Sequence, residues 1–193
     1  SATALLKAQE GKYYARDVLF PEDGDEADAA GRGTAYHRFL QLCDFSVKDE
    51  DGIEREIKKF VSDGLMAEDA ELINARTLSD ILSMPCFKMA EGAKTFRERE
   101  FLCALPANSF LDTDAEDDVL VQGAIDLLCE KDGKYAIIDY KFSSLAIPAI
   151  AAKYSKQLNL YRLAVQKILG VKAEDIEAHI VNIRTLKAVK LDF

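Results

Sequence analysis

The sequence predicts an α/β domain with a central mixed β-sheet flanked by helices, and three features carry that reading. Apolar residues recur at helical spacing through the first half, then give way to strand-like runs, one long helical stretch and strand-like runs again. Helices first, then strands interrupted by a helix, is the element order of an α/β fold. The runs 119–130 and 134–142 are β-branched and apolar and meet at Asp132-Gly133, the dipeptide favoured in two-residue type I′ hairpins. The long helix has Pro148 near its first turn and Gly170 just past its end. At 193 residues the chain fits a single domain that buries its own core. Its residues 1–93 are mainly helical, and 94–193 carry the sheet and the long helix.

Taken in order, residues 1–20 read as a short amphipathic helix, and 21–28 as an acidic loop. Gly31-Arg32-Gly33 is expected to stop the chain, with Thr34 capping a new helix whose apolar stripe holds Tyr36, Phe39, Leu40 and Cys43. Helices are expected near 51–64 and 67–83, the second closed by Pro85, and a strand at 94–105. An acidic loop over 112–118 leads into the hairpin. After the long helix, strands are expected near 175–183 and 186–192.

Composition excludes several function classes. The longest apolar runs are far too short to span a bilayer, and no charged-then-apolar leader is present, so the reading is a cytoplasmic protein with no membrane partner. Cys43, Cys86, Cys103 and Cys129 form no close pair, as zinc and iron–sulfur sites generally need. They read as buried or half-buried reduced thiols. The formal net charge of −9 argues against nucleic-acid binding when taken whole, but residues 121–193 carry 11 basic and 8 acidic side chains. Between Tyr140 and Ala173 there are six basic residues and no acid, with Tyr140, Phe142, Tyr154 and Tyr161 interleaved. A basic stretch bearing aromatics suits a passing phosphate backbone, although a solvated helix face with core aromatics has the same composition.

The hairpin places chemistry. If Asp132 and Gly133 are the turn residues, Lys131 faces Lys134, and counting back along both strands sets Asp126 opposite Asp139. Directly facing residues share a sheet face with Cβ atoms ~4.5–5.5 Å apart, and alternation puts Lys141 on that face too. Two facing carboxylates repel unless one takes a proton or both share a cation. A hard divalent ion such as Mg²⁺ or Mn²⁺ suits the pair, with the lysine beside it stabilising charge on a phosphoryl oxygen. An exposed strand face on which Lys141 merely neutralises both acids is the alternative. A register slip of one residue would weaken the facing pair but leave Asp139 and Lys141 together.

Several further stretches give these residues a family context. Gln122-Gly123-Ala124-Ile125-Asp126-Leu127, then Ile138-Asp139-Tyr140-Lys141, then Gln157-Leu158-Asn159-Leu160-Tyr161, resemble the successive motifs of the RecB-like branch of PD-(D/E)xK nucleases. Upstream, Gly33-Thr34-Ala35-Tyr36-His37 resembles that branch's first, histidine-bearing motif, and Glu98-Arg99-Glu100-Phe101 its weaker Glu-x-x-Phe strand. Motif order and length are most similar to the C-terminal nuclease domain of AddA-type helicase–nuclease subunits. One departure is Phe142, where family members usually carry Thr after the lysine.

The resemblance implies a restriction-endonuclease-like core and a metal-dependent deoxyribonuclease. His37, Asp126, Asp139 and the main-chain carbonyl of Tyr140 are then the expected metal ligands for Mg²⁺ or Mn²⁺, and Lys141 the catalytic lysine beside Asp139 and Asp126. Gln157 and Tyr161 are expected to hold the DNA strand, joined by Lys153 and Lys156 from the basic stretch, with Glu98 a weaker candidate for the site. His37 is expected in the first helical turn after Thr34, where the positive helix end favours neutral, metal-binding imidazole. No iron–sulfur cluster is expected, because relatives that hold one have cysteines on both sides of the nuclease motifs. The substrate implied is single-stranded DNA, cut during double-strand break repair and recombination. No GxxxxGK[ST] sequence is present, so helicase domains are expected elsewhere in the same, larger polypeptide, with an AddB-like protein as partner. The alternatives are a stand-alone RecB-like or CRISPR-associated nuclease, or a catalytically silent nuclease-fold module that binds DNA or acts as a scaffold.

Overall fold

The computed structural model describes residues 27–66 and 69–193, so the amphipathic helix expected over 1–20 lies outside the described residues. Helix α1 spans Ala27–Leu42, α2 Glu50–Ser62 and α3 Ala75–Leu82. Strands β1 (Lys94–Pro106), β2 (Asp118–Lys131) and β3 (Lys134–Lys141) follow, then α4 (Ile147–Leu169), β4 (Ile176–Asn182) and β5 (Lys187–Leu191). The five strands form one sheet in the order β1-β2-β3-β4-β5. Every neighbouring pair is antiparallel except β3 and β4, which run parallel. Parallel neighbours need a long crossover, and α4 is that crossover. The sheet is therefore mixed and flanked by helices, as the element order predicted.

Local chemistry explains most of the boundaries. At the hairpin, Asp132 and Gly133 have φ of 52° and 75°, both left-handed as a type I′ turn requires. Lys131 pairs with Lys134, and the register runs back to Leu127 opposite Ile138. Helix α2 starts where Asp49 accepts a hydrogen bond from the Gly52 amide at 2.8 Å. Asn74 does the same for the Thr77 amide at 3.0 Å. That cap shortens the helix expected over 67–83: Asn74 itself is extended, so α3 begins after it, and residues 70–72 form only a 3₁₀ turn. Gly170, with φ of 67°, ends α4.

The expected break at Gly31-Arg32-Gly33 does not occur. Helix α1 runs through it, so Thr34 is not an N-cap and His37 lies well inside the helix. A Cβ on Gly33 would sit 3.3 Å from the Phe142 Cβ. This glycine lets α1 approach the end of β3 rather than interrupting the helix, a case of packing overriding local propensity.

Two apolar clusters sandwich the sheet. On one face Phe39, Leu40, Ile53, Leu78 and Phe87 of the helical portion pack over Leu127, Ile138 and Tyr140. On the other, α4 lays Ile150, Tyr154, Leu158, Tyr161 and Val165 over Ile125, Ile137 and Ile180. The spacing of those five residues is one stripe of a helix. Cys43, Cys86 and Cys129 are buried and Cys103 is half-buried, all as free thiols, and burial pushes the Cys43 and Cys129 thiols up to about 12. Among the described residues no helix is long and apolar enough to cross a membrane.

Candidate metal and nucleic-acid site

The polar centre of the molecule lies where β2 and β3 part. Their ladder extends as far as Leu127 opposite Ile138. One residue further on stand Asp126 and Asp139, and there a side chain replaces the ladder: the Tyr140 amide donates to Asp126 Oδ2 at 2.8 Å. Across β1, the pairs Arg97–Leu127 and Arg99–Ile125 flank Glu98 and Asp126. Glu98, Asp126 and Asp139 therefore occupy one row running across three strands.

That row is also where two strands change phase. Leu127 and Cys129 face the helical portion, whereas Ile125 faces α4, so inward and outward positions exchange at Asp126. In β1, Phe96 and Phe101 both pack on the α4 side although five residues apart, and between them Glu98 has φ of 47°. A non-glycine residue in the left-handed region is strained and found preferentially at functional sites. Facing positions share a sheet face, so the register alone sets the three acids level, and both breaks fall at that same row.

His37 closes the cluster from α1. Its ligand nitrogen and the carboxylate oxygens of Glu98 and Asp126 all lie within 4.8 Å of one another. His37 Nε2 is 3.0 Å from the Tyr140 carbonyl, and Nδ1 is 3.8 Å from Asp126 Oδ2. An N–H on Nε2 donates to that carbonyl. The geometry corrects the expectation that a helix N-terminus keeps His37 neutral: α1 begins ten residues earlier, at Ala27, and the neighbours that address the ring are the Tyr140 carbonyl and Asp126.

Asp139 sits differently. It is 1% exposed, and Lys141 Nζ lies 2.7 Å from its Oδ2. Burial pushes the Asp139 carboxyl up to about 6, with Lys141 opposing and Asp126 reinforcing the shift. Glu98 is raised as well, by burial first and then by Asp126. The Lys141 ammonium also lies 4.8 Å from the centre of the Tyr154 ring, which fixes it on the α4 side. The structure thus brings His37, Glu98 and Asp126 into one cluster and sets Asp139 beside it, engaged by Lys141. Glu98, the weaker candidate from sequence, is a full member of the cluster.

The donor set fits a hard divalent cation. Carboxylate and carbonyl oxygens with one imidazole are ligands that Mg²⁺ or Mn²⁺ accepts. Burial first, and then the Asp126 carboxylate, raises both Asp139 and Glu98, and a bound cation would oppose both effects.

Helix α4 supplies the rim. Gln157 donates to the Tyr161 hydroxyl at 2.8 Å. The Tyr161 ring meets Phe101 edge-on at 5.6 Å, and a Cβ on Gly123 would clash with both rings, at 2.9 Å from Phe101 and 3.1 Å from Tyr161. Gly123 is therefore a residue of close approach, seating Tyr161 over β2. Burial raises the Tyr161 hydroxyl, and Asp139, Asp126 and Glu98 add to the shift, which places that group in their field. Lys153 stands over the Tyr154 ring at 4.9 Å, on the same aromatic side chain as Lys141. Lys156 is exposed one turn further along.

Two features are not legible in the sequence. Arg97 does not pair with Glu98: it crosses to the other face, donating to the Gln41 carbonyl at 2.9 Å and covering the Phe45 ring. Asn182, wholly buried at the end of β4, holds the segment after Lys141 through several hydrogen bonds. No motif marks it. A lone Asn ending an apolar strand is the only signal, and it reads equally well as the start of a turn.

Comparison with known proteins adds the family. The family model described as the PD-(D/E)XK nuclease superfamily matches residues 2–191. The A subunit of the ATP-dependent helicase/nuclease of Alkaliphilus oremlandii is 30% identical over 173 residues, covering 85% of this chain and 14% of that protein. The protein of the same description from Clostridium perfringens strain SM101 is 29% identical over 195 residues, covering 93% of this chain and 15% of that protein. A third, from Carboxydothermus hydrogenoformans, is 26% identical over 183 residues, covering 86% of this chain and 16% of that protein. The chain thus spans about one-seventh of the length of these relatives.

Proposed function

Since the chain belongs to the PD-(D/E)XK nuclease superfamily, we propose that it hydrolyses phosphodiester bonds of single-stranded DNA with Mg²⁺ or Mn²⁺ held by His37, Glu98, Asp126, Asp139 and the Tyr140 carbonyl. The observation that carries this reading is the row of three carboxylates with His37 closing one side and Lys141 seated on Asp139. When bound, the cation polarises a phosphoryl oxygen and acidifies water. The remaining steps belong to the protein. Asp139 would lend its carboxylate to the cation, with the Lys141 ammonium at 2.7 Å favouring its charged form. Lys141 donates hydrogen bonds to the phosphoryl oxygens as charge grows on them. Gln157 and Tyr161, hydrogen-bonded to each other on α4, would help to hold the strand, and Lys153 and Lys156 would follow its phosphate backbone.

The printed names of the relatives extend the proposal to context. Proteins described as A subunits of an ATP-dependent helicase/nuclease support a domain that acts as an exonuclease on a strand delivered by helicase domains of the same polypeptide. Its setting would be double-strand break repair and recombination in the cytoplasm, beside an AddB-like protein. The test is digestion of end-labelled single-stranded DNA with Mg²⁺, with Mn²⁺ and with chelator. Cleavage is expected only with metal, and Asp126→Ala or Asp139→Ala should abolish it while the circular dichroism spectrum stays unchanged. Undiminished cleavage by either variant, or cleavage in chelator, overturns the assignment.

A further inference from the structure

Lys141 is the last residue of β3, and the way the chain leaves that strand decides where its ammonium stands. The segment from Phe142 to Ala146 links β3 to α4 and is the shortest path between the lysine and the helix bearing Gln157 and Tyr161. Asn182, paired with Lys141 across the parallel ladder, is fully buried. Its Nδ2 donates to the Ser143 carbonyl and to the Leu145 carbonyl, each at 3.0 Å. Its Oδ1 accepts from the Arg184 amide at 3.2 Å and, more weakly, from the Ser143 amide at 3.4 Å. The Ile183 amide closes the set by donating to the Lys141 carbonyl at 2.8 Å. Ser143, itself buried, turns its Oγ to the Leu145 amide at 3.2 Å.

We propose that Asn182 is a positioning residue that holds the end of β3 so that Lys141 stays on Asp139 and faces the reacting phosphate, an inference that rests on the nuclease reading above. Two carbonyls need two N–H donors from one planar group, and in a dry site only an amide supplies both along with an acceptor. Aspartate would set a carboxylate against two carbonyl oxygens, and leucine would leave both carbonyls unpaired. Released from β4, the Lys141–Ala146 segment loses its fixed exit, and a shift of about 1 Å in a positioned group costs on the order of 10²-fold in rate. Of the proposed holders of the cation, His37, Glu98 and Asp126 stand on α1, β1 and β2, while Asp139 and Tyr140 precede the released segment and stay paired with Ile180 and Val181 of β4, so the cation site does not depend on this staple.

The experiment is a double-mutant cycle between Asn182→Leu and Lys141→Ala, with single-turnover cleavage of single-stranded DNA at saturating Mn²⁺ and calorimetric Mn²⁺ titration of each variant. Asn182→Leu alone is expected to slow cleavage about 10–100-fold with Mn²⁺ affinity within about twofold of the parent. In the Lys141→Ala background the same substitution should cost less than about twofold, because the group it positions is gone. Equal losses in both backgrounds, an unchanged rate, or collapse of Mn²⁺ binding would each overturn the inference. If Asn182→Leu does not fold, Asn182→Ser, which keeps one donor, replaces it with a smaller expected loss. The staple is also read without DNA: amide exchange at Ser143 and Leu145 should accelerate in the variant, and unchanged exchange overturns the inference whatever the cleavage result. Absence of cleavage by the unsubstituted protein overturns the nuclease reading instead.

Discussion

At the residue scale, the division of labour between Lys141 and the acids follows from how each is held. Lys141 is almost wholly buried and directs its charge at Asp139 at 2.7 Å, against the face of Tyr154. The ammonium need not touch the cation, so its benefit should appear where negative charge accumulates, in the transition state. Removing one such electrostatic interaction typically costs about 10²–10³ in turnover. Lys141→Ala is therefore expected to slow single-turnover cleavage by that much while binding Mn²⁺ about as well as the parent. Its DNA affinity should fall only modestly. Calorimetry paired with single-turnover kinetics checks this: parental turnover would exclude Lys141 from the chemistry, and weakened metal affinity would make it an organiser of the ligands. Glu98 is the opposite case. Its left-handed backbone stores strain so that a third carboxylate can join His37 and Asp126.

At the element scale, the features legible in the sequence and those that are not have separate physical causes. The hairpin is legible because Asp132-Gly133 dictates its own turn, and the turn dictates register, so Asp126 and Asp139 can be set level from the sequence alone. The contribution of Glu98 is not legible, since it needs the register of β1 against β2, and a long connection rather than a two-residue turn joins those strands. Helix α1 is misread at Gly31-Arg32-Gly33 for a similar reason: a glycine that permits contact with Phe142 looks, in sequence, like a glycine that ends a helix. Helix α4 shows both its stripe and its caps in the sequence, and it carries a prediction of its own. Lys153 and Lys156 lie on the helix that borders the site, with no acid between Tyr140 and Ala173. If they follow the phosphate backbone, Lys153→Glu combined with Lys156→Glu should weaken single-stranded DNA binding. It should also flatten the dependence of log K on log salt by about 0.7 for each phosphate no longer neutralised. Fluorescence anisotropy across a salt series measures this. A slope equal to that of the parent would reduce the two lysines to a solvated helix face.

At the scale of the whole molecule, a buried acidic row must lower the stability of the metal-free fold, and the pH dependence of that cost can be worked out. Asp139 titrates near 6 in the fold against an ordinary value of 3.8, for which burial is the main cause and Asp126 a further one. A carboxyl raised on folding binds its proton more tightly in the native state, so its contribution to stability falls as pH rises from about 4 through 6 and stays low above. Glu98 is raised for the same two reasons and adds to the trend. Asp126→Asn keeps an oxygen for the Tyr140 amide but removes the charge that repels both other acids. The metal-free variant should therefore be more stable than the parent above pH 6, by on the order of 1 kcal/mol at most, since Asp126 adds to the shift behind burial and a tenfold change in proton affinity is worth about 1.4 kcal/mol. For a domain of this size that amounts to a rise of at most roughly 2–4 °C in Tm. The advantage should shrink as the pH is lowered and vanish near 4, where Asp139 is protonated in the parent and the repulsion is gone. Mg²⁺ should reverse the order at neutral pH by stabilising the parent and leaving the variant nearly unmoved, because a ligand that binds only the folded state adds its binding free energy to folding. Thermal melts of both proteins from pH 4 to 8, with and without Mg²⁺, carry the test. A parent more stable than the variant in the absence of metal at pH 7 would mean that the Asp126 carboxylate is held by its hydrogen bonds rather than strained by its neighbours, and the case for a cation-dependent site would lose its electrostatic basis.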